Sequence, residues 1–269
     1  MQRTIPEKIL YYEDELNDDF AGTHIQSKPI DEHFRYEHKN IIWRFFAFLF
    51  YYCIAFPLIW LYERVFLQVK FVNKKALKKL KGKPCFFYGN HTGFIDAFTP
   101  NLLSFPKSNK IIVSPDTVSI PCMKNITQML GAIPVPTHRK GFKNFLAAIE
   151  QHHKKSNITI YPEAHIWPYY TGVRKFKSTS FAYPVKCNSP IVVFFTAYTK
   201  PKGLFSFFRK ANITIYVSEP IYPDENLPVK VSQQDLCEKA YTFMKEKSAL
   251  SDYEVISYIK KTNNLTLSA

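Results

Sequence analysis

The stretch CFFYGNHTGFIDAF, residues 85–98, starts as an unbroken apolar run, breaks at Gly89-Asn90 and becomes apolar again around Asp96. A short apolar run closed by a Gly/Asn turn predicts a buried strand over Cys85–Tyr88. The aspartate heading the next segment predicts a helix over Asp96–Ser104. His91 lies in the turn between them. Functional side chains of open α/β sheets collect at this edge, beyond the carboxyl ends of the strands. So short a turn lets the Asp96 carboxylate reach one imidazole nitrogen, leaving the other to accept a proton from a hydroxyl. Asp96 also stands where a helix N-cap belongs, and a carboxylate can do both jobs. The spacing alone is weak, because eight histidines and nine aspartates in 269 residues would produce His-x4-Asp by chance about 0.3 times.

Further strands are predicted at Lys110–Ser114, Ile158–Tyr161, Ile191–Ala197 and Ile213–Val217, and helices at Pro121–Leu130, Gly141–His153, Ser178–Cys187 and Ser232–Lys247. Near-continuous apolar strands alternating with helices define an α/β fold with a mixed, mostly parallel sheet flanked by helices.

Charge divides the chain. Residues 1–40 carry nine acidic and five basic side chains, and the remainder carries 31 basic and 13 acidic. The acidic segment reads as an irregular tail with turns at Gly22 and Pro29. The basic body favours anionic partners: nucleic acid, lipid headgroups or phosphorylated substrates. Five scattered cysteines have neither metal-ligand nor redox spacing, which fits reduced thiols, and no metal or cofactor is expected. Cys85, among apolar neighbours, reads as a buried strand thiol. His138, His152, His153 and His165 read as surface or loop residues.

From Phe45 to Tyr62, FFAFLFYYCIAFPLIWLY runs 18 residues without a charge. As a helix it is about 27 Å long, close to the thickness of a bilayer core. Its Phe, Tyr and Trp are the residues of membrane interfaces, and Pro57 can kink it, so full and half insertion both remain open. A buried core helix is the competing reading. The following KFVNKKALKKLKGKP, read as a lysine-rich helix, suits an anionic leaflet.

A second unusual stretch is NITIYPEAHIWPYYTGVRKF, residues 157–176. Pro162 stops the strand, so Glu163 and His165 leave the sheet at its edge. Trp167, Tyr169 and Tyr170 with Arg174, Lys175 and Lys177 would suit an acyl chain beside a phosphate, or single-stranded nucleic acid.

Together these stretches resemble the lysophospholipid acyltransferase family, the PlsC-like 1-acyl-sn-glycerol-3-phosphate acyltransferases. Asn90-His91-Thr92-Gly93-Phe94-Ile95-Asp96 matches the family's His-x4-Asp block. Gly131-Ala132-Ile133-Pro134-Val135, followed by His138-Arg139-Lys140, looks like the second block with a longer spacing to Arg139. Tyr161-Pro162-Glu163 matches the start of aromatic-Pro-Glu-Gly-Thr-Arg, with Ala164-His165-Ile166 in place of Gly-Thr-Arg. Pro190-Ile191-Val192-Val193 resembles the fourth block. The missing arginine suggests a divergent bacterial branch in which the lysolipid can differ.

The resemblance implies a membrane-bound O-acyltransferase that moves an acyl group from acyl-CoA or acyl-carrier protein to a lysophospholipid, making phosphatidate from 1-acyl-glycerol-3-phosphate. His91 would be the general base and Asp96 its orienting partner. Thr92 and Gly93 offer backbone donors for the oxyanion. Glu163 would act on the glycerol or phosphate end through a cation, and Arg139, Arg174 or Lys177 would supply the missing charge. The implied organisation is an acidic tail over 1–40, a membrane-associated apolar helix over 41–70, a catalytic domain over 71–250 and a C-terminal tail over 251–269. The expected place is the cell membrane, with the catalytic domain on the cytoplasmic face. The partners are then membrane lipids, the lysophospholipid acceptor and the acyl donor, and not nucleic acid. The altered third block keeps a second reading open, a non-catalytic lipid-binding or scaffold protein with the same fold.

Overall fold

The computed structural model describes residues 6–22, 25–203 and 206–261. Its strands are β1 (Lys8–Tyr12), β2 (Lys70–Val72), β3 (Phe86–Gly89), β4 (Asn109–Val113), β5 (Ala132–Pro134), β6 (Asn157–Ile160), β7 (Ile191–Thr199), β8 (Asn212–Val217) and β9 (Ile256–Lys260). The helices used below are α1 (Ile41–Phe66), α2 (Thr99–Ser104), α3 (Lys124–Met129), α4 (Phe142–His153), α5 (Ala182–Lys186) and α6 (Val229–Ser248). Seven strands form one sheet in the order β2-β8-β7-β3-β6-β4-β5, parallel throughout except for β7 against β8.

Strand β3 sits at the centre of that sheet, and its sequence explains why. Phe86 and Tyr88 face one layer and Phe87 the other, all fully buried, as the two-residue period of a strand covered on both faces requires. The first layer packs on α4 and α6 through Phe145, Ile149, Leu236 and Met244. The second packs against Leu80, Leu103, Val192 and Phe194. Gly89 ends β3 because nothing larger fits: a Cβ there would lie 2.2 Å from the Phe194 ring. Gly131, before β5, has φ +102° and its absent Cβ would lie 2.6 Å from the Asn109 carbonyl oxygen, so only glycine is comfortable there.

Three readings of the sequence change. The acidic N-terminal segment is not wholly irregular, since β1 pairs in parallel with β9 and ties residues 8–12 to 256–260. The lysine-rich stretch is not an α-helix: Lys70–Val72 is an edge strand and Lys74–Leu80 a 3-10 helix. Bracketing left-handed residues at Asn73 and Lys81 explain the change, as they close the segment after two turns. The predicted helix over Asp96–Ser104 is a 3-10 turn, Phe94–Ala97, followed by α2.

Helix α1 is long and apolar enough to cross a membrane, and only 6% of its most apolar window is buried. Asn40 caps it, its side chain accepting from the Ile42 and Trp43 backbone N–H groups. It meets the domain between Tyr51 and Glu63. The Tyr51 hydroxyl donates to Asn101 at 2.9 Å, the Tyr52 hydroxyl to the Pro106 carbonyl at 3.2 Å, and Phe56 stacks on Phe105. Farther along, the fully buried Glu63 accepts from Thr99 at 3.1 Å.

Candidate active site

His91 and Asp96 meet beyond the carboxyl end of β3, where the Gly89–Gly93 turn reverses the chain. The Asp96 Oδ2 atom lies 3.1 Å from His91 Nδ1. The same oxygen accepts the backbone N–H groups of Thr92 at 2.5 Å and Gly93 at 2.9 Å. The carboxylate is almost fully buried, while the imidazole keeps 18% of its side-chain surface exposed. With Nδ1 held by a carboxylate, the neutral ring carries its proton there and turns the Nε2 lone pair outward.

The turn is fixed from three sides. Asn90 exchanges two hydrogen bonds with the Thr196 backbone, accepting at 2.7 Å and donating at 3.1 Å, which locks it to β7. Thr92 Oγ1 lies 2.8 Å from the Tyr198 hydroxyl. Tyr161 stacks on the His91 ring with centroids 4.5 Å apart, and its hydroxyl donates to the Asp96 carbonyl. Thr196, Tyr198 and the stacking role of Tyr161 are absent from the sequence reading. Only Tyr161 carried a signal, as the aromatic residue before Pro-Glu.

Glu163 leaves β6 toward the same turn. One of its oxygens accepts from the His91 backbone N–H at 3.4 Å and from Arg174 Nη2 at 3.2 Å, and the other accepts the Arg174 N–H at 3.1 Å. Burial pushes the Glu163 carboxyl upward, against the pull of the Arg174 charge. The loop then runs beside the turn, with Trp167 and Tyr169 donating backbone N–H groups to the His91 and Thr92 carbonyls.

Several expected roles meet a different geometry. Arg174 is fully buried, wedded to Glu163, lying over the Trp167 ring at 4.9 Å and donating to the His165 carbonyl. Its charge is neutralised internally. Trp167 does not face an acyl chain, because Tyr12, Phe20 and Tyr258 surround it and its indole N–H donates to the Asp18 carbonyl. The acidic segment thus covers this loop, with Asp19 also 3.5 Å from His165. The Thr92 and Gly93 N–H groups, offered to an oxyanion by the sequence reading, are taken by Asp96. Arg139 and Lys177 are exposed. Arg139 follows β5 at the same edge of the sheet, three strand spacings or about 14 Å from β3. Cys85 is fully buried and its thiol is pushed up by desolvation. His153 is buried rather than superficial, 2.8 Å from the Ser189 hydroxyl.

The arrangement is an α/β sheet with a half-open imidazole held by a buried carboxylate at its carboxyl edge, on a domain that carries a long apolar helix. The comparisons carry this further. The family described as Acyltransferase matches residues 68–217, more than half of the chain, and the chain belongs to that family. Its fold is similar to that of the 1-acyl-sn-glycerophosphate (LPA) acyltransferase PlsC from Thermotoga maritima, at 16% identity and a TM-score of 0.50, covering 77% of this chain and 88% of that one. No curated protein sequence matches.

Proposed function

We propose that this acyltransferase moves the acyl group of an acyl thioester, acyl-CoA or acyl-carrier protein, onto the free hydroxyl of a lysophospholipid. Its acceptor is 1-acyl-glycerol-3-phosphate, the acceptor type named for the Thermotoga maritima protein, and the product is phosphatidate. The observation that carries the reading is the His91–Asp96 pair, with its half-open imidazole and buried, triply bonded carboxylate. In the reaction His91 Nε2 takes the proton of the acceptor hydroxyl as its oxygen attacks the thioester carbonyl. The tetrahedral adduct then expels the thiolate, which recovers the proton from the imidazolium. Asp96 holds the tautomer and stabilises the cation. Base assistance of this kind contributes about 10²–10⁴-fold.

Glu163 and Arg174 position the base in this reading, since Glu163 receives the His91 backbone N–H. The acceptor's phosphate is then met by the exposed cations Arg139 and Lys177, which have no carboxylate partner among the described residues. Docking of α1 on the domain between Tyr51 and Glu63, with its opposite face open, favours a helix lying in one leaflet over one crossing both. The catalytic domain sits on the cytoplasmic face, where thioester donors are made.

The test incubates purified protein in detergent with a labelled acyl thioester and a panel of lysophospholipids. Lysophosphatidate is expected to be the best acceptor, with His91→Ala losing at least 10²-fold while its melting temperature stays within a few degrees. Lipid binding without product in the unmodified protein would instead support the scaffold reading.

A further inference from the structure

The opposite edge of the sheet holds a feature that acyl transfer at His91 does not use. An open cavity of about 930 Å³ lies at the amino ends of β3, β4 and β6, between the 3-10 helix Lys74–Leu80, α2 and Tyr52 of α1. That volume is in the range of small-molecule sites, about 300–1,000 Å³. Its interior is apolar, formed by Leu77, Leu80, Phe87, Leu103 and Phe105. None of its lining residues belongs to the His91 turn or the Glu163 loop. From Phe87 the chain needs four residues, about 13 Å of strand, to reach His91.

The rim has one sign of charge. Lys74, Lys75, Lys78, Lys83, Lys107 and Lys155 all contribute, and the lining contains no carboxylate. Among the described residues none of these six lysines forms an ion pair, although the neighbouring Lys79 pairs with Glu219 at 3.0 Å. Lys74 is turned inward, its Nζ donating to the Leu102 carbonyl at 2.6 Å. An apolar hollow within a ring of unpaired cations suits a molecule with an apolar body and an anionic head. The wall supplied by α1 gives the source. Tyr52 lines the cavity and Phe56 of the same helix stacks on its lining residue Phe105 with centroids 4.6 Å apart, so the opening lies directly beside α1, the element proposed above to sit in the membrane.

We propose that this cavity binds one anionic phospholipid from the membrane, its acyl part between Leu77, Leu103 and Phe105 and its phosphate among Lys83, Lys107 and Lys155. The bilayer source rests on the membrane placement of α1 proposed above. Binding itself does not, nor does it require acyl transfer. A bound lipid would hold the amino edge of the domain, and with it Tyr52, against the membrane that α1 occupies.

Native mass spectrometry of the full chain in detergent with dioctanoyl-phosphatidylglycerol reads the site directly. One tightly held lipid is expected, and it should survive His91→Ala. Removing each charge should weaken it roughly five-fold, about 100-fold for Lys83→Gln/Lys107→Gln/Lys155→Gln together. Leu77→Trp, which fills the cavity and keeps every charge, should abolish tight retention, so the proposal stays testable if the triple variant misfolds. Dioctanoyl-phosphatidylcholine should bind at least ten-fold more weakly. Equal binding of the two lipids, retention by Leu77→Trp, or loss in His91→Ala would each overturn the proposal. So would complete displacement by inorganic phosphate, which would leave a simple anion site. Lysine variants that lose an acidic carrier protein while keeping the lipid would reassign the patch to a protein partner.

Discussion

His91 and His153 are built almost alike and end in opposite chemistry. Each imidazole stacks on an aromatic ring, His91 on Tyr161 at 4.5 Å and His153 on Phe86 at 4.3 Å. Each has one nitrogen in a hydrogen bond. The difference lies in the partner and in the second nitrogen. His91 meets a buried carboxylate and keeps its other nitrogen toward solvent. His153 meets the Ser189 hydroxyl, and its Nδ1 is buried with no hydrogen-bond partner among the described residues. Desolvation therefore governs His153 and pushes it down to about 4, with the charge of Lys107 adding to the effect. In the proposed reaction the carboxylate behind His91 and the opening in front of it are what fit it to act as a base, and aromatic packing is common to both histidines.

The sharpest way to break the comparison is to remove the carboxylate's charge while keeping its shape. Asp96→Asn leaves an oxygen for the Thr92 and Gly93 N–H groups but no longer stabilises an imidazolium or selects the tautomer. Losses near 10⁴-fold accompany such changes in hydrolytic triads, and a drop of 10³–10⁴-fold in kcat is expected here, with the KM for the acceptor nearly unchanged. A loss below ten-fold would remove His91 from the role of base. His153→Asn, assayed beside it, should leave kcat within two-fold.

The second test concerns the support under His91. Glu163 and Arg174 are both buried, so deleting one partner leaves an uncompensated charge and costs about 3–5 kcal/mol. Arg174→Met should lower the melting temperature by many degrees. It should also weaken the acidic segment's hold on the loop, read as faster proteolysis near residues 13–20. Glu163→Gln keeps the shape but leaves the buried Arg174 guanidinium, which cannot shed its charge, without its carboxylate, and should lower the melting temperature comparably. If both variants melt with the unmodified protein, the pair is not what positions the turn.

His152 and His153 sharpen the contrast through pH. Both are held down to about 4 by burial, with nearby lysines adding to the effect, whereas an unfolded histidine titrates near 6.5. Between those values the unfolded chain binds more protons than the folded one, so folded stability is complete above about pH 6.5 and falls as pH drops toward 4. Two such shifts, taken at about half weight because the rings are partly solvated, amount to roughly 3 kcal/mol. Thermal denaturation from pH 7.5 to 4.5 should reveal this slope, and His152→Asn/His153→Asn should flatten it. An equal slope in the double variant would assign the acid sensitivity to other groups.

How far the sequence reaches follows from the range of the forces involved. The strands around Phe86, Ile158 and Ile191 were legible because their apolar runs are local, and the His91–Asp96 meeting because five residues and a Gly/Asn turn constrain it. The pairing of β1 with β9 was not legible: it joins residues more than 240 positions apart, and neither strand is buried enough to read as apolar. The burial of Arg174 was hidden for a related reason. A cation eleven residues beyond Glu163 looks free for phosphate until the fold brings Glu163, Trp167 and the N-terminal segment around it. The lysine-rimmed cavity draws its six lysines from three separate segments, of which the lysine-rich stretch 70–84 marks only one.

Ala164 offers the finest test, because there the sequence departs from its family at a position the backbone itself judges. Where the resembled block has glycine, this chain has alanine, and the backbone sits at φ +66°. An L side chain in that region costs about 1 kcal/mol relative to glycine. The turn is nevertheless held, because the Ala164 N–H donates to the Tyr161 carbonyl and the His165 N–H to the Glu163 carbonyl, and Arg174 locks the carboxylate beside it. Ala164→Gly should then raise stability by at most roughly 0.6 kcal/mol, the relief of strain being offset in part by the greater freedom of glycine in the unfolded chain. Chemical denaturation would measure it, with kcat unchanged if the turn geometry is already that of the family. A destabilised glycine variant would mean that the methyl group contributes packing worth more than the strain, and that the glycine of the resembled block serves close approach of a ligand instead of backbone conformation.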